Sequence, residues 1–333
     1  MKRKEMEKGV LCLAALLLAT WMMLPIIWTP EAIAAPEKVQ IKFGGSNTGT
    51  LVYMICGVLV DVWTKNIPDL GMTLMATPGS TANHLPIERG ELDIGASATS
   101  ADYWAMNGMH FTKTKVTNFC TLIPITMAYQ QVITYADSPM KSWKDLDAKR
   151  VALGARASPA SITSEEIFQG LKIKPKSILS SPTEAADMMK DKRADAFAYG
   201  VGAPYSLFMD IAAATPIKLV PMAPDEQEPV VKAVPHMFPV VMPAKTYSFQ
   251  NEGYPTMAAY PSLIVRPSLS EEIVYKLTKV AWEHWDEVVK AAPAAKWVSP
   301  KDIVNMVAPI HPGGVKYYRE IGINIPDRLI WKK

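Results

Sequence analysis

The sequence predicts an α/β protein of two lobes, and three observations carry that reading. Strand-like and helix-like segments alternate from residue 36 onward. The connections between them are short and rich in Gly, Ser, Thr and Asn. The alternation then starts again near Gln131, after a first round that ends at Ser97.

The elements follow in order. Val39, Ile41 and Phe43 alternate with polar residues, so residues 39–43 read as a strand. The loop Gly44-Gly45-Ser46-Asn47-Thr48-Gly49-Thr50 comes next, and a helical pattern over 51–66 starts directly behind it. A strand over 72–76 leads into Pro78-Gly79-Ser80-Thr81-Ala82-Asn83 and a helix over 81–89. A strand over 94–97 leads into Ser97-Ala98-Thr99-Ser100. In the second round, Ser142-Trp143-Lys144-Asp145 has the form of a capping box. A strand is predicted over 150–153, then a loop over 154–161 with Ser158 as helix cap and Pro159 at the first helical position, then a helix over 162–171. A strand begins at Ile178, a helix covers 183–192, a strand 194–199, a loop 200–203 and a helix 204–213. Residues 221–260 are rich in proline and read as irregular connections. Ser268-Leu269-Ser270-Glu271 opens a long amphipathic helix with Ile273, Leu277, Val280 and Val288 near one face. The lobes are accordingly expected at 35–129 and 130–246, with 247–333 packed back on the first.

The bulk properties narrow the function. Hydrophobic residues make up 49% of the 333 residues and charged residues 20%, which fits a folded chain with a sizeable core. A net charge of +3, with no block of like charge, gives no support to nucleic-acid binding. Residues 1–34 read as a secretory signal peptide. Lys2, Arg3, Lys4 and Lys8 precede an apolar stretch over 10–23, and Ala32-Ile33-Ala34 fits a small-x-small cleavage site. The stretch is short for a membrane anchor, and Pro25 interrupts its end. The expected location is therefore the periplasm. Cys12 would leave with the leader. Cys56 and Cys120 remain, either as buried thiols or as a pair in an oxidising compartment.

The loops carry the chemistry. A strand that runs into a hydroxyl-rich loop and then a helix leaves free N–H groups at the helix N-terminus, which suits anions. Residues Gly44 to Thr50 have the spacing of a phosphate loop but lack its lysine, so nucleotide binding is not expected. One such loop alone is equally an ordinary helix cap. Three in register at one sheet edge favour half of a cleft for a small carboxylate. Arg156 could hold such a carboxylate through two parallel N–H bonds, or it could be a solvated surface arginine. Tyr53, Tyr103, Trp104, Tyr199 and Tyr205 lie near loop ends, where some could form an apolar cleft wall. Asp93 and Asp195 sit at strand entries and read as local structural residues. The five histidines are scattered without metal spacing, and no serine lies in a G-x-S-x-G context, so no catalytic residue, cofactor or metal is expected.

Several blocks, in order, resemble a known family. They are Gly44-Gly45-Ser46-Asn47-Thr48-Gly49-Thr50-x-x-Tyr53, Pro78-Gly79-Ser80-x-x-Asn83 and Gly90-Glu91-Leu92-Asp93-Ile94-Gly95. They continue with Asp145-Leu146-x-x-Lys149-Arg150-Val151-Ala152-Leu153-Gly154, Arg193-Ala194-Asp195-Ala196-Phe197 and His311-Pro312-Gly313-Gly314-x-x-Tyr317-Tyr318-Arg319-Glu320. Together they are similar to the solute receptors of tripartite ATP-independent periplasmic (TRAP) transporters, of the TAXI branch. The resemblance implies a type II periplasmic-binding-protein fold that closes on a small organic acid or amino acid and delivers it to a membrane permease driven by an ion gradient; a receptor of the same fold serving an ATP-driven importer, and a periplasmic enzyme on the same scaffold, are the alternatives. Carried over position by position, it implies ligand contacts at Ser46, Asn47, Thr48, Thr50 and Tyr53, at Pro78, Gly79, Ser80 and Asn83, at Ser97 and Thr99, and on the second lobe at Ser158, Ser161 and Gly200. The family usually has Gly-Gly where this chain has Gly49-Thr50, and a glycine-bearing loop near Ser158.

Overall fold

The computed structural model describes residues 38–156 and 158–332; the predicted leader, with Cys12, lies outside them. Strands β1 (Val39–Gly44), β2 (Leu70–Met75) and β3 (Ile94–Ala98) form the parallel half of a five-stranded sheet in the order β2-β1-β3-β12-β4. In β1, Ile41 and Phe43 are buried while Gln40 and Lys42 face outward, as the alternation predicts. Helix α1 (Leu51–Asn66) starts at the cap formed by Thr50, whose hydroxyl accepts from the Tyr53 N–H at 3.2 Å. Its buried residues Ile55, Cys56, Leu59, Val62 and Trp63 make one apolar stripe, and Trp63 packs 6.1 Å from Phe43. Helices α2 (Ser80–Glu88) and α3 (Thr99–Asn107) follow β2 and β3. Strand β4 (Cys120–Pro124) completes this lobe together with β12 (Pro261–Val265), which returns late in the chain and runs antiparallel to both β3 and β4.

The second lobe repeats the plan. Strands β5 (Ala128–Tyr135), β6 (Arg150–Leu153), β7 (Lys176–Leu179) and β8 (Ala196–Val201) alternate with helices α4 (Pro159–Leu171) and α5 (Pro182–Lys190), and α6 (Ser206–Ala214) follows. Short β9 (Ile217–Leu219) pairs with the end of β5. The order β7-β6-β8 reproduces β2-β1-β3. The two aspartates read as structural occupy equivalent places. Just before β3, Asp93 accepts from the Lys42 N–H of β1 at 2.7 Å; just before β8, Asp195 accepts from the Arg150 N–H of β6 at 2.8 Å. Each is also held by an arginine, Arg266 for Asp93 and Arg150 for Asp195.

Residues 221–260 are more regular than their prolines predict. They contain helix α7 (Pro224–Ala233) and strands β10 (Phe238–Met242) and β11 (Tyr254–Ala259). Pro224 sits in the first turn of α7, and Pro239 lies in an edge strand, where a missing N–H is tolerated. Because β11 pairs with β5 in the second sheet, the chain returns to the first lobe at Tyr260, thirteen residues later than the predicted boundary at 247. Residues 125–127 and Tyr260 therefore form two adjacent crossovers, joined by the Ile125 N–H donating to the Pro261 carbonyl at 2.9 Å.

The C-terminal part packs on the first lobe. Its long helix breaks at His284 into α8 (Glu271–Glu283) and α9 (Trp285–Ala291), and α10 (Pro312–Glu320) lies against α8. Gly313 makes that approach possible: a Cβ there would lie 2.3 Å from the Glu271 carbonyl oxygen. Cys56 and Cys120 are both free and buried, and burial pushes both thiols far above their ordinary range. No helix among the described residues is long and apolar enough to cross a membrane.

Candidate functional site

The parallel strands of the two sheets run into helices, β1, β2 and β3 into α1, α2 and α3 in the first lobe and β6, β7 and β8 into α4, α5 and α6 in the second. In open α/β sheets, ligands collect at this carboxyl edge, where the strand order reverses. Between the lobes lies a cavity of about 370 Å³. Thr81, His110 and Phe111 line it from the first lobe, and Arg156, Ser161, Ile162, Glu165 and Leu179 from the second. A smaller cavity of about 150 Å³ lies by the crossovers, where Ser100, Gln130, Thr163 and Gly200 supply its polar atoms and backbone. A further hollow of about 450 Å³ lies elsewhere, between α10 and residues Ile330 and Trp331.

The predicted ligand positions divide into three groups. Arg156 and Ser161 line the larger cavity and Gly200 the smaller. The Arg156 side chain is exposed, beside the N-terminal turn of α4. Ser158 caps that helix, accepting from the Ser161 N–H at 3.2 Å, and the Ser161 hydroxyl donates to the Ala155 carbonyl at 2.8 Å. A Cβ at Gly200 would lie 2.5 Å from Gln130 Oε1, so only glycine leaves that amide its place beside Ser164.

The second group forms the rim of the first lobe. Ser46, Asn47, Thr48, Thr50, Tyr53, Pro78, Gly79 and Ser80 line neither cavity. Asn47 Nδ2 donates to the Pro78 carbonyl at 3.4 Å, and the Thr77 hydroxyl donates to the Gly45 carbonyl at 2.7 Å, which ties the two loops together. Gly79 has φ +114° and lies against Ser46.

The third group is turned inward. Asn83 is 1% exposed, and its Nδ2 reaches the carbonyls of Gly44 (3.3 Å), Gly45 (3.0 Å) and Ala96 (2.8 Å), pinning the end of β1 to β3. Ser97 donates to Asp102 Oδ1 at 2.5 Å, and His84 Nε2 lies 2.9 Å from the same oxygen. Ser97 Oγ also lies 3.3 Å from His84 Nε2, and all three side chains are buried. Thr99 Oγ1 donates to the His236 carbonyl at 3.0 Å and accepts from the Tyr260 N–H at 3.3 Å, joining the lobes beside a crossover.

Across the cleft, Glu166 on α4 meets the first lobe. Its Oε1 accepts from Trp104 Nε1 at 3.0 Å and lies 3.1 Å from His110 Nε2. The His236 ring lies 5.5 Å from both Tyr103 and Trp104. Burial raises the Glu166 carboxyl above its usual range and pushes the His236 imidazole down to about 3, with nearby His110 adding to the latter effect. No group of acidic, histidine or cysteine side chains among the described residues could hold a metal ion.

Thr81, His110, Phe111, Ile162, Glu165 and Leu179 line the larger cavity without having been among the predicted contacts, and Glu166 lies beside them. Thr81 adjoins the predicted Ser80. The Glu165-Glu166 pair, on a helix otherwise composed of hydroxyl and apolar residues in its first turns, was the available signal.

Two sheets of matching strand order, facing each other across two crossovers, define the type II periplasmic-binding-protein fold. The NMT1-like family profile matches residues 43–322, and the chain belongs to that family. Solved structures agree on the fold. A TctC solute-binding protein from Polaromonas superposes with a TM-score of 0.55 at 14% identity, covering 77% of this chain and 86% of that one. MatC from Rhodopseudomonas palustris, determined with bound malate, gives a TM-score of 0.51 at 14% identity, with 85% and 96% covered. A putative periplasmic sulfonate-binding protein from Methylobacillus flagellatus gives 0.50 at 15% identity, with 90% and 82% covered.

Proposed function

We propose that the protein is a periplasmic solute receptor that captures a small organic acid or amino acid between its lobes by hinge closure. In this reading it is not an enzyme, and it delivers its solute to an ion-gradient-driven TRAP permease of the TAXI type. The observation that carries the reading is the cavity of about 370 Å³ shared by both lobes, with Arg156 beside the N-terminal turn of a thirteen-residue helix. A guanidinium next to free helix N–H groups suits a carboxylate better than a cation or a neutral sugar. The malate held by MatC, a protein of this fold, supports the small-acid class.

The test is thermal unfolding of the purified protein against amino acids, dicarboxylates and aromatic acids. A ligand that binds only the folded state raises the melting temperature by mass action. An acid that does so is expected to lose roughly tenfold or more in affinity in Arg156→Ala, on the order of 1.5–3 kcal/mol for a charge-assisted contact. A panel that leaves melting unmoved counts against the small-acid class, and unchanged affinity in the variant removes Arg156 from the site.

A further inference from the structure

Two opposite charges line the larger cavity and are not paired with each other. Arg156 enters it from the loop ahead of α4, and Glu165 from the helix itself, on the face it shares with Ser161 and Ile162. Among the described residues neither side chain has an ion pair or a side-chain hydrogen bond; the contacts of α4 to the first lobe run through the adjacent Glu166 instead. Other polar groups of the lining are already engaged. His110 Nε2 lies 3.1 Å from Glu166 Oε1, and the Ser161 hydroxyl donates to the Ala155 carbonyl at 2.8 Å. Thr81 supplies a further hydroxyl, and Phe111, Ile162 and Leu179 an apolar wall. A solute in this cavity therefore meets one cation, one anion and an apolar surface.

We propose that the solute is a zwitterion with an apolar body: an amino acid with one carboxylate held by Arg156, one ammonium group held by Glu165, and its carbon chain or ring against Phe111, Ile162 and Leu179. This rests on reading the protein as a solute receptor, and it narrows the solute from small acids in general to one charge type.

The physical reason is a difference in what each kind of solute leaves unpaired. A solute whose only charges are carboxylates satisfies Arg156 but sets a second negative charge, or bare apolar surface, against Glu165. Covering Glu165 without a donor costs its hydration, and facing it with a carboxylate repels. Exclusion by an unpaired like charge is a common source of specificity. An ammonium group removes both penalties, because it brings a positive charge and N–H donors. A simple amine fails for the opposite reason, at Arg156. A cavity of about 370 Å³ has room for one molecule of the size of leucine or phenylalanine.

The test is titration calorimetry of the purified protein with matched pairs that differ only by the ammonium group: L-leucine and isocaproate, L-phenylalanine and hydrocinnamate, ε-aminocaproate and caproate. Malate and L-glutamate complete the set. At least one amino acid is expected to bind about tenfold or more tightly than its amine-free partner, and more tightly than malate or glutamate. Which pair shows the gap tells whether the ammonium sits beside the carboxylate or at the far end of the chain. Glu165→Gln is expected to close the gap, weakening the amino acid by about tenfold and leaving the amine-free acid unchanged or tighter, whereas Arg156→Ala weakens both. Because Glu165 is exposed and unpaired, the Gln variant is expected to melt with the parent when no solute is present. An amine-free acid that binds as tightly as its partner, a preference for malate or glutamate, or an amino-acid affinity untouched by Glu165→Gln overturns the zwitterion and leaves the small-acid receptor standing. Failure of every probe to bind overturns the zwitterion and counts against the small-acid class as well.

Discussion

Replacing Asn83 by alanine distinguishes a residue that touches solute from one that builds the wall. The Asn83 amide is 1% exposed, and its two N–H groups serve the carbonyls of Gly44, Gly45 and Ala96, none of them farther than 3.3 Å. Alanine leaves these acceptors without that donor in a place water does not reach. At about 1 kcal/mol net for each lost hydrogen bond, with a further penalty of about 1–3 kcal/mol for an acceptor stranded in the interior, the loss is roughly 2–4 kcal/mol. Relaxation is limited, because Gly44 and Gly95 lie so close to this side chain that a Cβ on either would meet it within 3 Å. Urea unfolding followed by circular dichroism measures the effect. With a slope of about 3 kcal/mol/M, the midpoint falls by about 1 M. A midpoint within about 0.3 M of the parent, on the same slope scale, would refute the clamp. If solute affinity fell instead, Asn83 would be a ligand residue, as the family resemblance implies.

Two further outcomes follow from the packing. The Arg150 guanidinium holds the Asp195 carboxyl below the usual carboxylate range, so its contribution to stability is present above the ordinary carboxylate pKa and is lost as pH falls through the lowered value. Asp195→Asn should therefore destabilise by about 1 kcal/mol at pH 7, a modest figure because the pair is partly exposed, and the gap to the parent should close in strong acid; a gap that persists at acid pH contradicts the assignment. Gly313→Ala places a methyl group against the Glu271 carbonyl and should cost about 1–3 kcal/mol, seen as a lower melting temperature, and an unchanged melting temperature would show that α8 and α10 separate freely.

The three parallel strands of the first sheet were legible because they and their helices are written locally, whereas β4 and β12 were not predicted. Thr50 and Ser158 each precede a helical stripe, and their hydroxyls do cap those helices. The strands after residue 221 were hidden because Pro239 and Pro255 argue against strand structure unless the edge position and the gap in pairing are known. The hydroxyl loops were recognisable as a group, but no pattern tells which way a side chain turns at a strand end. Ser97 and Thr99 look identical in sequence to solute contacts, whereas one bonds inward to Asp102 and the other bonds across to the second lobe. The Glu166 contact was invisible for another reason: Trp104, His110, Glu166 and His236 are brought together only by the crossovers.

The paired aspartates at the entries to β3 and β8 have a consequence for change over time. Asp93 and Asp195 tie the first strand to the third at the entries to β3 and β8, without using any residue of the loops. Strand register is thus held by residues outside the loops. Loops such as 44–50 and 154–158 can be exchanged, lengthened or recoded while the strands behind them stay aligned. A scaffold divided in this way leaves its loops open to substitution without disturbing the sheet behind them.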